Sequence, residues 1–495
     1  MTAYFHPLSK LARQKSYIDG QYIDSTSGEV FETLHPGNKS QICEVEVAGE
    51  NEVNLAVESA LRGFEEWSGI SASARSKILF KAAHILTQRN QELAELETLD
   101  TGKSVSETTV TDILSGVEVL EFYAGLAPTI GGDHMDFPGE GHAIMKREPL
   151  GVCLGIGAWN YPIQIALWKS SLALACGNSM IFKPSEYTPL TALKLAEIYS
   201  QAGLPDGVFN VIQGGSATGK LLVDHPLINK VSLTGSVGTG KKIMAQAAGS
   251  LKKVTLELGG KSPILVFNDA NIENAVNAIV PANFYSTGQV CSNGTRVFVQ
   301  KGIYAELLSA LEEQTKRIIV GNPFNENTDM GPLVSQMQYD KVIAYMDDAR
   351  ASKARLICGG KAYSDESMSA GYFVPPTILA DCTDDMKFVR EEVFGPLMSV
   401  LSFNDEDEVL ERANSSEFGL AGAVFTQDLT RANRVANALQ AGSVWINNYH
   451  ILPASVPFGG YKASGIGREN GKSAIEHYTQ IKMIYTSLSD IEPCY

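Results

Sequence analysis

Cysteine is scarce in this chain. There are seven in 495 residues, at positions 43, 153, 176, 291, 358, 382 and 494, with no Cys-x-x-Cys pair and no Cys/His cluster. An odd number so widely spread points to neither a disulfide framework nor a structural zinc site. Long apolar runs are missing as well. No segment reaches the roughly 20 residues that span a bilayer, and the opening MTAYFHPLSKLARQKS has no apolar signal core. No membrane partner is therefore expected, and a reducing cytoplasm is the simplest location. Blocks of one charge sign are also absent: 40 basic against 56 acidic residues give −16, so a nucleic-acid partner is not expected either. Internal repeats and low-complexity tracts are lacking.

What is present is the composition of an ordinary globular chain, 44% hydrophobic and 19% charged. Its length is enough for more than one core, and two or three domains are expected. Val53, Ala56, Val57, Ala60, Leu61 and Phe64 recur at helical spacing and predict an amphipathic helix over 53–67. From residue 151 the pattern alternates. Strands are predicted at 151–157, 179–182, 208–212, 230–233 and 254–257, with helices at 162–175, 189–202 and from Thr218 and Thr239. Such alternation predicts an α/β fold with a parallel sheet covered on both faces and ligands at the carboxyl ends of its strands. A second alternating set starts after about 263 and carries Cys291. The stretches 130–148 and 478–490 read as isolated extended segments, the kind that pair elsewhere, sometimes with another subunit.

Cys291 and Glu257 carry the chemical signal. A thiol in Phe284-Tyr285-Ser286-Thr287-Gly288-Gln289-Val290-Cys291 supplies a nucleophile, and a carboxylate in Leu256-Glu257-Leu258-Gly259-Gly260 supplies a base for the water that releases the product. Two glycine turns stand near predicted helix starts. Gly155-Ile156-Gly157-Ala158-Trp159-Asn160 begins like a dinucleotide fingerprint but has Asn160 where the third glycine belongs. Gly235-Ser236-Val237-Gly238-Thr239-Gly240-Lys241-Lys242 looks like a P-loop with Lys242 in place of the magnesium-binding hydroxyl. Either is a phosphate-binding turn or a plain tight turn on these residues alone.

Together the motifs resemble the NAD(P)-dependent aldehyde dehydrogenase superfamily, from about Tyr17 to Tyr485. The matching segments include Ala158-Trp159-Asn160-Tyr161-Pro162, Phe182-Lys183-Pro184-Ser185-Glu186, Leu233-Thr234-Gly235-Ser236, Leu256-Glu257-Leu258-Gly259-Gly260-Lys261, Gly288-Gln289-Val290-Cys291, Glu391-Glu392-Val393-Phe394-Gly395-Pro396 and Ser464-Gly465-Ile466-Gly467-Arg468-Glu469. The resemblance implies a Rossmann-type NAD-binding domain over 1–129 and 151–262 and an α/β catalytic domain over 263–445. It also implies an oligomerisation sheet from 130–150 and 478–495, with 446–477 returning to the cofactor domain and substrate tunnel. Cys291 would be the nucleophile, Asn160 and the Cys291 backbone N–H the oxyanion donors, and Glu257 the hydrolytic base, with Lys169 and Glu469 as an auxiliary proton relay. Lys183 and Glu186 would grip the adenosine ribose and Glu392 the nicotinamide ribose. Pro184 and Ser185 lie in that turn. Gly235, Ser236, Val237, Gly238 and Thr239 would contact the pyrophosphate, while Gly157, Ala158, Trp159, Gly259 and Phe394 line the cofactor channel. A carboxylate at 186 favours NAD, with NADP the weaker alternative. A homodimer or homotetramer is implied.

Within that superfamily the nearest resemblance is to the betaine aldehyde and 4-trimethylaminobutyraldehyde dehydrogenases, through residues 157–170, 96–103, 291–298 and 467–471. That implies oxidation of a trimethylammonium or amino aldehyde. Tyr161 and Trp168, two turns apart on one helix face, and Phe458 and Tyr449 would form an aromatic cage, since a quaternary ammonium group offers no hydrogen-bond donor. Some betaine aldehyde enzymes place Trp where this chain has Phe458. Relatives also hold K+ through backbone oxygens and a carboxylate. The positions matching one such site are Thr33, Leu34, Asp100, Tyr187 and Leu251, and a second would use Lys462 and Gly465. Rival readings are a broad-specificity aldehyde dehydrogenase, a cysteine acyl hydrolase, a CoA-acylating dehydrogenase and a P-loop phosphotransferase.

Overall fold

The computed structural model describes residues 10–491 and Tyr495, so Cys494 and part of the predicted 478–495 segment lie outside it. The predicted helix at 53–67 is Glu50–Gly69, with Val53, Ala56, Val57 and Ala60 buried. The Pro-led helix runs Pro162–Ala175, as the position of Pro162 at its start predicts. The alternating segment from 151 forms strands Val152–Ile156, Ser179–Lys183, Phe209–Val211, Lys230–Thr234 and Lys253–Glu257, all parallel to their neighbours. These five β-strands are the centre of an eight-stranded sheet. Ser16–Ile18 and Gln21–Ile23 extend one edge antiparallel, and Gly465–Ile466 closes the other. The helices between them cover both faces, because the strands are apolar on both sides.

The order of that sheet matters for function. The chain lays down Val152–Ile156, then Ser179–Lys183, then Phe209–Val211 outward in one direction. It then crosses back to place Lys230–Thr234 on the other side of Val152–Ile156. The reversal leaves a crevice outside the carboxyl ends of those two central strands, where doubly wound sheets bind ligands.

A second, seven-stranded sheet runs Arg355–Cys358, Thr377–Ala380, Leu397–Phe403, Arg296–Gln300, Pro263–Val266, Ala421–Phe425 and Ser443–Ile446. All its pairings are parallel except at Arg355–Cys358. The two isolated extended stretches meet each other: Thr479–Ser487 pairs with Gly141–Pro149, which pairs with Asp133–Phe137. Met135, Ile144, Ile481, Met483 and Ile484 stand exposed on this small sheet. No helix among the described residues is long and apolar enough to cross a membrane.

Candidate active site

Four adjacent strand ends of the first sheet each deliver a predicted segment into one cleft of about 1110 Å³. Ile156 leads into Gly157–Asn160, Lys183 into Pro184–Glu186, Thr234 into Gly235–Thr239, and Glu257 into Leu258–Gly260. Cys291 reaches the same cleft from the second sheet's side, on the segment before Arg296–Gln300. That segment is tightly formed. Ser286 and Thr287 both take left-handed backbone angles, φ 52° and 56°, which non-glycine residues adopt at a cost of about 1–3 kcal/mol each. Ser286 is clamped in place. Its Oγ donates to Glu107 Oε1 and its N–H to Glu107 Oε2 (3.2 Å), while the Tyr161 hydroxyl donates to Ser286 Oγ (2.5 Å).

Asn160 Nδ2 donates to the Gln289 carbonyl at 2.9 Å, which ties its amide to the Cys291 segment. The Cys291 thiol is pushed up to about 12, by burial first and then by the Glu257 and Glu392 carboxylates. The thiol is therefore protonated at neutral pH, and attack requires removal of that proton. Glu257 lies buried at the end of its strand with neither carboxylate oxygen hydrogen-bonded. Burial and the neighbouring Glu469 carboxylate hold its carboxyl well above the ordinary range, while Lys169 and Arg468 oppose them. Lys169 and Glu469 are ion-paired, 0% and 2% exposed, and both bond Ser232 Oγ. Glu469 lines the cleft, whereas Lys169 stands behind it.

Lys183 Nζ donates to the carbonyls of Pro184 (2.7 Å) and Gly214 (2.8 Å), so it does not pair with Glu186. Burial pulls its ammonium down to about 8, against the pull of Glu186. Ser236 caps the helix Val237–Ala248, its Oγ accepting from Thr239 N, so the remaining free N–H groups of the first turn face the cleft mouth. Trp159 and Phe394 meet edge to face, centroids 5.1 Å apart. Glu392 Oε1 accepts from Gly260 N–H at 2.9 Å, and a Cβ at Gly259 would collide with that carboxylate. The pairing explains why glycine occupies 259. Pro184, Val237 and Gly238 belong to these turns without lining the cleft itself.

At the cleft's other end Trp168 and Phe458 pack edge to face at 5.6 Å, and Tyr161 joins them on the wall. Tyr449 does not. The chain turns through left-handed angles at Asn447 and His450. Tyr449 is thereby driven into the core of the second sheet, where its ring packs 4.7 Å from Trp445 and its hydroxyl donates to the Ser292 carbonyl. The expectation that it walls the cage is corrected. His450 lines the cleft instead, with Leu452, Gln164 and Tyr285, none of which sequence reasoning singled out. Burial pulls the His450 imidazole down to about 4, so it is neutral at neutral pH and does not repel a cation.

The expected K+ residues are dispersed. Thr33 and Asp100 are both buried near Cys43: Thr33 Oγ1 meets the thiol at 3.5 Å, and the Asp100 charge helps raise that thiol. Asp100 Oδ1 has no hydrogen-bond partner. Leu34 ends the strand beside Thr33, and Tyr187 follows the Lys183 turn. Leu251 cannot join them. It sits 91% exposed before the amino end of Lys253–Glu257, whereas Asp100 binds Leu190 N–H beyond the carboxyl end of Ser179–Lys183. The length of the parallel sheet separates the two, which removes Leu251 from that set. Lys462 Nζ is engaged by the carbonyls of Asn414 and Ser416, and Gly465 pairs with Glu257.

A cleft that presents a thiol, a side-chain amide and a buried carboxylate to one another at the switch point of a doubly wound sheet defines an enzyme of covalent acyl chemistry. The chain matches the family model described as "Aldehyde dehydrogenase family" over residues 22–484, and it belongs to that family. It is 54% identical to a betaine aldehyde dehydrogenase of Rhizobium etli over 97% of this chain and 98% of that one. A betaine aldehyde dehydrogenase of Rhizobium leguminosarum bv. trifolii is 53% identical over the same shares. Among solved structures, betaine aldehyde dehydrogenase from Staphylococcus aureus in complex with NAD+ superposes with TM-score 0.94 at 39% identity, covering 97% of this chain and 96% of that one. The NAD+ complex of an aldehyde dehydrogenase from Bacillus cereus gives TM-score 0.94 at 39% identity, with 96% and 97% covered.

Proposed function

We propose that the protein oxidises a quaternary ammonium or amino aldehyde, of the betaine aldehyde kind, to its carboxylate with NAD+ as acceptor. The observation that carries the substrate class is the apolar end of the cleft, where Tyr161, Trp168 and Phe458 stand together beside a neutral His450. Such a wall attracts a cation through its ring faces and offers no competing positive charge. The names of the relatives support the same class.

Cys291 loses its proton and its sulfur bonds to the aldehyde carbon, turning the carbonyl oxygen into an oxyanion. The Asn160 amide and the Cys291 backbone N–H hold that charge as it develops. Bound NAD+ supplies the hydride acceptor. Lys183, Glu186 and Glu392 would hold the ribose hydroxyls, and the first turn of Val237–Ala248 the pyrophosphate. Trp159 and Phe394 would flank the channel, whose glycine-lined turns leave room for backbone to approach a dinucleotide. The aldehyde carbon is left as a thioester on Cys291, and Glu257 draws a proton from the water that cleaves it. Glu257 is suited to this because nothing else bonds its oxygens. Lys169 and Glu469 extend the proton path behind it.

The first sheet with its helices is the cofactor domain, the seven-stranded sheet the catalytic one. The small sheet with its exposed apolar side chains joins subunits into a dimer or a tetramer of dimers. The enzyme works in the reducing cytoplasm, in keeping with the free thiols of its described cysteines. The test is Cys291→Ala with a cationic aldehyde and NAD+: NADH formation should vanish while the fold persists, and retained turnover contradicts the assignment.

A further inference from the structure

Lys230 is a buried lysine that the reaction above leaves without a role. It is 1% exposed, its Nζ donates to Thr255 Oγ1 at 2.5 Å, and it lies 4.4 Å from the Tyr478 ring centroid. Burying an ammonium with so little compensation is costly, which singles the position out. Lys230 and Ser232 are alternate residues of one strand and face the same side. Thr255 is the register partner of Ser232 on the next strand. Ser232 Oγ in turn donates to Glu469 Oε1 at 2.9 Å and accepts from Lys169 Nζ at 3.0 Å. The Glu469 carboxylate acts directly on Glu257. At the other end stands the half-buried His477, whose imidazole feels the Lys230 charge. A Cβ built on Gly467 would sit 3.3 Å from Thr255 Oγ1 and 3.5 Å from His477 Cε1, so the hydroxyl and the ring flank one glycine.

We infer that the proton taken by Glu257 during thioester hydrolysis leaves the protein along Glu469, Ser232, Thr255 and Lys230 to the imidazole of His477. The inference rests on the reading of Glu257 as the hydrolytic base. In that step the water oxygen bonds to the acyl carbon, and the C–S bond breaks with its electron pair returning to the Cys291 sulfur. One water proton passes to Glu257, and the second departs with the carboxylic acid. Glu257 must shed its proton before the next turnover, and neither of its oxygens has a hydrogen-bond partner. Hydroxyls such as Ser232 and Thr255 both accept and donate, and so pass a proton on without holding charge. Lys169, paired to Glu469, keeps that carboxylate aligned with Ser232.

The groups facing Lys230 are the Cys153 thiol, Lys169, Glu469, Lys253, the Tyr478 ring and His477. Burial outweighs them and pulls the Lys230 ammonium down to about 7, where a carrier gains and loses a proton with equal ease at neutral pH.

The experiment forms the acyl-enzyme with excess aldehyde and NAD+, reads the NADH burst, and follows acyl-enzyme decay by acid quench. Lys230→Met keeps the stem and removes the ammonium. Thr255→Val, a near-isostere, serves if that variant fails to fold. Both should retain the wild-type burst amplitude, with decay slowed by roughly tenfold or more, the lower end of what a lost proton-transfer group costs. His477→Ala should slow decay in dilute buffer and recover with added imidazole, which a purely structural defect would not do. Unchanged decay in both Lys230→Met and Thr255→Val overturns the path, and slowing in His477→Ala that imidazole leaves untouched overturns its exit. A wild-type protein that forms no acyl-enzyme would instead refute the proposed function beneath it.

Discussion

Lys103 stands directly behind Tyr161, its ammonium 3.7 Å from the ring centroid. The same lysine is ion-paired with the buried Asp112. One face of the Tyr161 ring is thus occupied from within, its hydroxyl is tied to Ser286, and only the remaining surface is offered to the cleft. The ring cannot swing aside, so it recognises a substrate as a fixed wall.

Tyr161→Ala should raise KM for betaine aldehyde more than for hexanal. A cation held by an aromatic face is worth about 0.5–2 kcal/mol, so the excess should lie between about 2-fold and 30-fold. Steady-state kinetics with both aldehydes check this, and equal increases would reduce the ring to tunnel lining.

Glu257→Gln should leave acylation intact and cripple deacylation, giving a burst of NADH followed by a slow steady rate. The pH profile carries the sign. Burial and Glu469 raise the Glu257 carboxyl, and only its ionised form accepts a proton, so wild-type deacylation should rise with pH through the raised value. The variant's profile should lose that limb. A steady rate equal to wild type would refute the role.

Much of this arrangement was legible beforehand. Pro162 marks the start of its helix, and the glycines after Ile156, Thr234 and Glu257 mark strand ends, so the cofactor crevice follows from pattern alone. The burial of Lys169 was not legible, because a single lysine on a helix reads as solvated until its partner, far along the chain, is seen to be Glu469. Tyr449 and His450 exchanged roles because left-handed angles at Asn447 and His450 rotate the chain, and neither residue type announces such a turn. Leu251 was carried over by likeness of position, and nothing local to it reveals at which end of the sheet it lies.

Glu97 offers a prediction about stability. Its carboxyl is raised from 4.5 to about 8, chiefly by burial and next by Asp112, with Lys103 opposing. A raised carboxyl binds a proton in the folded state that the unfolded chain has already lost. Its contribution is therefore present below the ordinary value and lost as pH rises towards about 8. Glu97→Gln keeps an acceptor for the Ile163 N–H and cannot ionise. Its melting temperature should fall less than the wild type's between about pH 5 and about pH 8, by a few degrees in thermal scans. Parallel curves would contradict the assignment.

The most direct measurement is NADH or NADPH formation from betaine aldehyde, 4-trimethylaminobutyraldehyde, 4-aminobutyraldehyde and hexanal, each with NAD+ and NADP+. An aromatic wall beside a neutral histidine, with Glu186 at the adenosine ribose, predicts a kcat/KM advantage of roughly a hundredfold, about 2.7 kcal/mol, for a cationic aldehyde over hexanal, and a preference for NAD+. Similar values across the four aldehydes would contradict the account and leave a general aldehyde scavenger.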